Sequence, residues 1–315
     1  MIKVAISGAD RPAAGELIRI LVNHPDVEIV ALIAPGHEGK PVQSIHHGLL
    51  GEVPLSFTSA FKPAEADVLF VADKKIAAAD LDSLSEKYPD LKIIALERPA
   101  GYMDSLTEIT EEEIESYDGL VFALPEINRK PLVRGAKKAL IPSPTSSVAL
   151  VALYPLALNM LLSGDIQLSV SAPEDLMEEE ALKLAAEEIA SQLSKAQRSF
   201  NGKISFHTDP PSSKRGIEIR TKVDVPLDLE HILKTYDIYD DHNFSFTTIS
   251  AVKLDDVKGT EKVIVSLGLT KEGTLSIHVV ADGRLRGSAG EAVHVMNLMF
   301  GLHEKTGLYL KPYAF

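Results

Sequence analysis

Short apolar runs alternate with helically spaced apolar positions through the first 142 residues. Ile2 to Ser7 is rich in β-branched residues and ends at Gly8-Ala-Asp-Arg-Pro; a helical pattern follows from Ala14 to Asn23; Val27 to Ile33 is strand-like and stops at Ala34-Pro-Gly. Strand, turn, helix and strand within about 33 residues make a βαβ unit. Asp67 to Ala72 and Lys92 to Leu96 continue the series, with a helical pattern from Ala79 to Tyr88 between them, and Gly119 to Leu124 and Ala139 to Ile141 add two further strands. Alternation of this kind predicts an α/β domain with a Rossmann-type, doubly wound parallel sheet.

The period changes after residue 142. Val148 to Leu162 is apolar, interrupted by Tyr154, Pro155 and Asn159, and reads as a buried helix that a capping cluster, Thr145, Ser146 and Ser147, starts. Gln167 to Ser171 is a strand, and Glu174 to Ser199 is helical and charged. From Lys203 the alternation is two-residue, in Ile204 to His207, Gly216 to Val223, Val263 to Leu267 and Leu275 to Val280, with a helix from Leu227 to Ile238 beside them. That pattern predicts a mostly antiparallel sheet with one buried face. Glu291 to Leu302 returns to helical spacing. The expected organisation is a dinucleotide-binding domain over 1–142, completed by the C-terminal helix at about 291–315, and an α+β dimerisation and substrate domain over 143–290.

Composition narrows the function. The formal net charge of −13 argues against nonspecific binding to nucleic acid or an anionic membrane. The chain has no cysteine, which removes disulfides, thiolate metal sites and a thiol nucleophile together. No apolar stretch reaches transmembrane length, and Met1-Ile-Lys-Val runs straight into a strand. The expectation is a cytoplasmic protein with no nucleic-acid or membrane partner. His46-His47 and His207 with Asp209 lack metal-ligand spacing, so no metal is expected and a structural role is assigned to the first pair. The acidic run Thr110 to Glu115 reads as a solvated first helical turn.

Gly8 sits where a dinucleotide fingerprint requires glycine, after a strand and before a helix whose amino terminus favours a pyrophosphate. The second and third glycine positions hold Arg11 and Ala14. Two readings stand: a plain βα turn, with Arg11 solvated, and a phosphate site to which Arg11 adds charge.

Four blocks carry a resemblance to a known family. Gly8 to Glu28 resembles the opening of N-acetyl-gamma-glutamyl-phosphate reductases, members of the semialdehyde dehydrogenases. Leu124-Pro-Glu-Ile-Asn-Arg is similar to their Gly-Leu-Pro-Glu segment, Phe206 to Ile217 to their Arg-Gly-Ile strand entry, and Arg286 to Leu302 to their carboxy-terminal cofactor loop and helix. The blocks stand in the family order. The resemblance implies a Rossmann domain, an α+β domain carrying the dimer contact, NADP or NAD as cofactor, and a homodimer or homotetramer.

It also exposes what is missing. Such enzymes use a cysteine thiolate to form a thioacyl intermediate, with a histidine as acid/base and hydride transfer to or from NADP. Their Asn-Pro-Gly-Cys corresponds to Ile141-Pro-Ser-Pro144, so Pro144 replaces the nucleophile; it has neither a nucleophilic atom nor a backbone N–H. The histidine positions correspond to Lys183 and Ala185, just before Glu188-Ile189, and the Asp-x-Arg substrate segment becomes Glu97-Arg98-Pro99-Ala100-Gly101, with Arg98 out of register. Ser146 and Ser147 have no local base and are poor nucleophiles.

Gly287, Gly290, Ala292 and Asn297 match the loop near the nicotinamide, with a structural role in the turn and final helix as the equal alternative. With Gly8 and Arg11, they are the candidate cofactor residues, and weak binding is expected of them. The expected function is a reductase-like protein without the family's catalysis. The alternatives are a divergent NAD(P) oxidoreductase without a covalent intermediate, with His207, Asp209 or Lys183 as proton donor, and a partner subunit in a hetero-oligomer with an active paralogue.

Overall fold

The computed structural model describes residues 1–73, 76–102 and 119–312. They fall into two units: 1–102, 119–142 and 288–309 in unit 1, and 143–287 with 310–312 in unit 2.

Unit 1 is built on β1 (Ile2–Ser7), β2 (Val27–Ile33), β3 (Val68–Val71), β4 (Lys92–Ala95), β5 (Leu120–Phe122) and β6 (Lys138–Leu140). They form one six-stranded sheet in the order β2-β1-β3-β4-β6-β5, and every pair is parallel. The all-apolar runs of β3 and the inner residues of β4 are fully buried, as strands covered on both faces must be. The helices are α1 (Pro12–Leu21), α2 (Ala78–Lys87) and α3 (Pro125–Arg134), which kinks at Asn128. α1 buries Ala14, Leu17, Ile18 and Leu21, positions three or four apart that form one face.

Unit 2 begins with α4 (Pro144–Leu158), followed by β7 (Ile166–Ser171), α5 (Glu179–Ala196), β8 (Ile204–Thr208), β9 (Gly216–Val223), α6 (Leu229–Thr235), β10 (Ser245–Thr248), β11 (Val263–Leu269) and β12 (Leu275–Asp282). The sheet order is β10-β11-β12-β9-β7-β8; the three central pairs are antiparallel and the two edge pairs, β7 with β8 and β10 with β11, are parallel. Burial alternates along β9 and β11, with Ile217, Ile219, Val263, Val265 and Leu267 turned to the core.

α4 carries Pro155 in its interior, which removes the N–H that would bond the carbonyl four residues back, that of Val151. Tyr239 supplies the replacement: its Oη donates to Val151 O at 2.9 Å. Tyr236 Oη donates to Ala152 O at 2.6 Å, and burial pushes that phenol's pKa above its ordinary value. The apolar run is therefore a buried helix whose proline gap Tyr239 fills and whose next carbonyl Tyr236 also reaches.

α7 (Ala289–Met299) is buried along its whole length and packs against α1 and α3, as part of unit 1. Among the described residues no helix is long and apolar enough to cross a membrane.

Candidate functional site

In unit 1, β2 and β3 flank β1, so the chain leaving β1 emerges at the topological switch point of the sheet, where open α/β sheets bind ligands. Gly8 has φ +70°, and a Cβ on it would lie 2.9 Å from Ala72 C and Asp73 N just beyond β3. Glycine is demanded there by the neighbouring backbone before any ligand is considered. Ala9 N–H donates to Ile33 O at 3.0 Å and ties the turn to the end of β2. Arg11 is the exposed N-cap of α1 and Pro12 its first residue; no side chain caps this helix.

His46 belongs to the frame of this turn. Its Nε2–H donates to Ala9 O at 2.7 Å, and its ring covers Gly15, where a Cβ would lie 2.5 Å from Nδ1. His47 Nδ1 lies 3.1 Å from Gln43 O. The structural role expected of the pair is what these contacts describe. Past β2 the chain reads Ala34-Pro-Gly-His37, without a carboxylate. His37 Nε2 lies 3.8 Å from Asp10, and Lys40 Nζ 3.4 Å from His37 Nδ1.

Gly290 and Asn297 are both buried in α7. Asn297 donates through Nδ2 to Glu304 O at 3.0 Å and Thr306 O at 2.9 Å, and accepts at Oδ1 from His24 at 3.0 Å. Asp26 N–H donates to His24 Nδ1, which leaves the ring proton on Nε2 for Asn297. All three bonds are internal to unit 1 and hold the C-terminal segment against the end of α1. The same segment places Glu304 between His294, 3.1 Å away, and Arg129, with which it forms an ion pair. Two of the four family-like blocks, those at Leu124 and Arg286, thus converge on one buried carboxylate.

In unit 2, Pro144 is the first residue of α4, four residues before the expected start at Val148, and Ser143 is its N-cap. Thr145, Ser146 and Ser147 lie inside the helix and are buried. Ser143 does not cap α4 with its side chain; its N–H and Oγ–H both donate to Glu188 Oε2, at 3.0 and 2.7 Å. Glu188 is buried on α5, three residues beyond Ala185, so both occupy one face of that helix. Ala185 is fully buried and Lys183 exposed. The two positions matched to the catalytic histidine therefore offer a methyl group and a solvated ammonium.

Gly287 closes over Pro144. Its φ is +64°, and a Cβ there would fall 2.4 Å from Pro144 Cα. Gly287, a candidate cofactor residue, and Pro144, the position matched to the nucleophile, are thus brought together within unit 2. Beneath them, Arg286 is fully buried, donates through Nε to Ser147 Oγ at 2.8 Å, and stands 3.6 Å from Glu261, also fully buried. Neither this pair nor the use of Glu188 was foreseen from the sequence. Arg286 stood in the matched block, but only the fold shows that it faces α4.

His207 and Asp209 lie 3.7 Å apart at the end of the edge strand β8, and His207 is 65% exposed. Arg98 lies over the Tyr102 ring, 5.4 Å from its centroid. The run from Thr110 to Glu115 lies outside the described residues. No group of three or more His, Asp or Glu side chains among the described residues could hold a metal ion.

Comparison with known proteins shows the family and the fold. Residues 3–133 match the family described as "Semialdehyde dehydrogenase, NAD binding domain". N-acetyl-gamma-glutamyl-phosphate reductases of Parabacteroides distasonis and Phocaeicola vulgatus are 32% and 31% identical to the chain, with all of both sequences covered in each case. Among solved structures, an aspartate semialdehyde dehydrogenase with NADP from Candida albicans has a TM-score of 0.66 at 13% identity, covering 95% of this chain and 98% of that one. The Vibrio cholerae aspartate semialdehyde dehydrogenase II complexed with ASA has a TM-score of 0.62 at 14% identity, covering 96% and 98%. At such identities the structures show the fold.

Proposed function

The chain belongs to the N-acetyl-gamma-glutamyl-phosphate reductase family, and from that premise we propose that it is a reductase-like protein that has lost the covalent chemistry and keeps a dinucleotide site in unit 1. The observation that carries the reading is Pro144 at the start of α4, with Glu188 on its N-cap and Gly287 over it. Reduction of an acyl phosphate by the family's route needs a thiolate that attacks the carbonyl, expels phosphate and holds the acyl group as a thioester while hydride arrives. Pro144 has no atom that can do this and no N–H to offer the oxyanion. Ser146 and Ser147 are buried within the helix, and Ser147 is bonded to Arg286. The acid/base step fails separately, since Ala185 carries no proton and Lys183 is in solvent.

The residues of unit 1 fit a nicotinamide dinucleotide. The Gly8 turn lies at the switch point, and the uncapped first turn of α1 can receive a pyrophosphate, to which Arg11 adds positive charge. Past β2, His37 and Lys40 could meet a 2′-phosphate, but Glu38 stands between them, its carboxylate accepting from Ser59 Oγ at 2.7 Å, so the stretch suits NADP or NAD. When bound, the cofactor would supply a hydride; nothing described in unit 2 offers a covalent acyl carrier to receive it. Association into a homodimer or homotetramer, or into a hetero-oligomer with an active paralogue, belongs to the same proposal.

The test has two arms. NADPH and NADH binding is followed by cofactor fluorescence, free of indole background because the chain has no tryptophan. Phosphate-dependent NADP reduction is assayed with N-acetyl-glutamate semialdehyde. The expected result is NADPH binding without turnover. Turnover by the pure protein overturns the loss of chemistry, and absence of NADPH binding at millimolar cofactor overturns the retained site.

A further inference from the structure

β8 is the last strand on one side of the unit 2 sheet. It pairs with β7, and among the described residues no strand or bridge pairs with its outer side. Lys203 O accepts from Ile166 N–H, and Asp209 N–H donates to Val170 O, so the odd-numbered residues of this run face β7. Peptide groups alternate along a strand, so Ile204, Phe206 and Thr208 point theirs outward. Such an edge is a template for another strand unless a device such as proline or a bulge blunts it. β8 pairs with β7 without a register shift, and proline first comes at Pro210, after the strand has ended.

What the edge fits is written in its own sequence, Lys203-Ile-Ser-Phe-His-Thr-Asp209. Laid antiparallel against a second copy about a two-fold axis at Phe206, β8 overlaps its counterpart along its whole length. Phe206 then faces the partner's Phe206, Ile204 the partner's Thr208, and Ser205 the partner's His207. One residue beyond each end, Lys203 faces the partner's Asp209, so opposite charges meet twice. The outward residues Ile204, Phe206 and Thr208 fall on the positions that exchange N–H···O bonds. Directly opposite residues stand about 5 Å apart, within reach of an ion pair and an aromatic pair. A strand built for a foreign partner has no reason to complement itself, whereas isologous pairing about a two-fold demands it.

We propose that two copies of this chain join edge to edge through β8, so that the unit 2 sheets run on as one. The inference rests on the self-association in the proposed function, and it names the surface from unit 2 alone. It does not depend on dinucleotide binding. α5 packs beside β8, and the two-fold sets the partner's copy of that helix on the same side of the joined sheet. The exposed His207 and Asp209, which no metal or proton-transfer site claims, become part of the contact.

The test is sedimentation equilibrium of the full chain, with thermal unfolding to confirm that each variant folds. Thr208→Pro removes an outward N–H and leaves the β7 ladder intact. It should weaken association by about tenfold or more, since the two-fold repeats the loss. Lys203→Asp and Asp209→Lys each set like charges face to face and should weaken association by about fivefold, while the double variant should recover the wild-type affinity. The charge swap decides alone should the proline variant fail to fold. Unchanged association in a folded Thr208→Pro, or a double variant no tighter than either single one, overturns the β8 contact and leaves self-association standing. A wild-type chain that stays monomeric at about 100 μM overturns both.

Discussion

Two helices in this protein begin alike and have been put to different use. α1 in unit 1 and α4 in unit 2 each follow a turn, each carry proline as first residue, and each lack a side-chain cap from their own N-cap. At α1 the N-cap is the exposed Arg11, which makes no side-chain cap, and the turn's own Asp10 lies 3.8 Å from His37. At α4 the N-cap Ser143 is bonded twice to the buried Glu188, and Gly287 lies against Pro144. An anion can approach the first end; the second has an internal one at its N-cap. Electrostatics of the helix do not separate the cases, because both termini carry the same partial charge. What separates them is which side chains the fold delivers there.

The largest expected effect comes from the support under α4. Arg286→Met removes one member of a fully buried pair and takes the guanidinium away from Glu261, and should cost about 3–5 kcal/mol in urea unfolding. A loss under about 1 kcal/mol would mean that the α4 start does not rest on this pair. Next is Gly287→Ala, which puts a methyl group into the Pro144 backbone at positive φ and should cost about 2 kcal/mol by the same measurement. An unchanged midpoint would show that the loop does not close on α4. At the open end, Arg11→Glu should weaken NADPH about tenfold, near 1.4 kcal/mol, without moving the unfolding midpoint; equal affinity would return the turn to a plain βα connection. The smallest effect is expected of Pro144→Cys. The new thiol should react with a disulfide reagent yet produce no phosphate-dependent NADP reduction, because no residue supplies the proton transfer. Turnover in that variant would show that the nucleophile alone had been lost.

Much of the fold was legible because it is written in local periodicity. The fully apolar strands of unit 1 and the alternating strands of unit 2 each carry their burial pattern in a handful of residues, as Val68–Val71 and Gly216–Val223 illustrate. β10 was missed: Ser245–Thr248 is short and polar, and it is a strand because β11 pairs with it. The start of α4 was placed late because Thr145, Ser146 and Ser147 look like a cap. The better signal was Ser143-Pro144, an N-cap residue followed by proline. The absence of any thiol could be read from composition alone, and the match of Pro144 to the nucleophile position needs only an alignment of motifs. What occupies its neighbourhood could not. Glu188 lies 45 residues from Ser143, Arg286 lies 139 from Ser147, and Asn297 lies 273 from His24. No periodicity records partners at such separations, so Asn297 matched a cofactor loop by sequence while its amide is engaged with His24, Glu304 and Thr306.

The clamp around Asn297 also orders events during synthesis. Every strand of the unit 2 sheet lies between residues 166 and 282, one uninterrupted stretch that can close as soon as it has left the ribosome. Unit 1 is made first and finished last. Its sheet is complete by Leu140, but the end of α1 keeps His24 without its partner until α7 has been translated, and Asn297 without two of its own until Thr306 has followed. A nascent chain halted anywhere between 143 and 296 therefore carries a unit 1 that lacks its clamp.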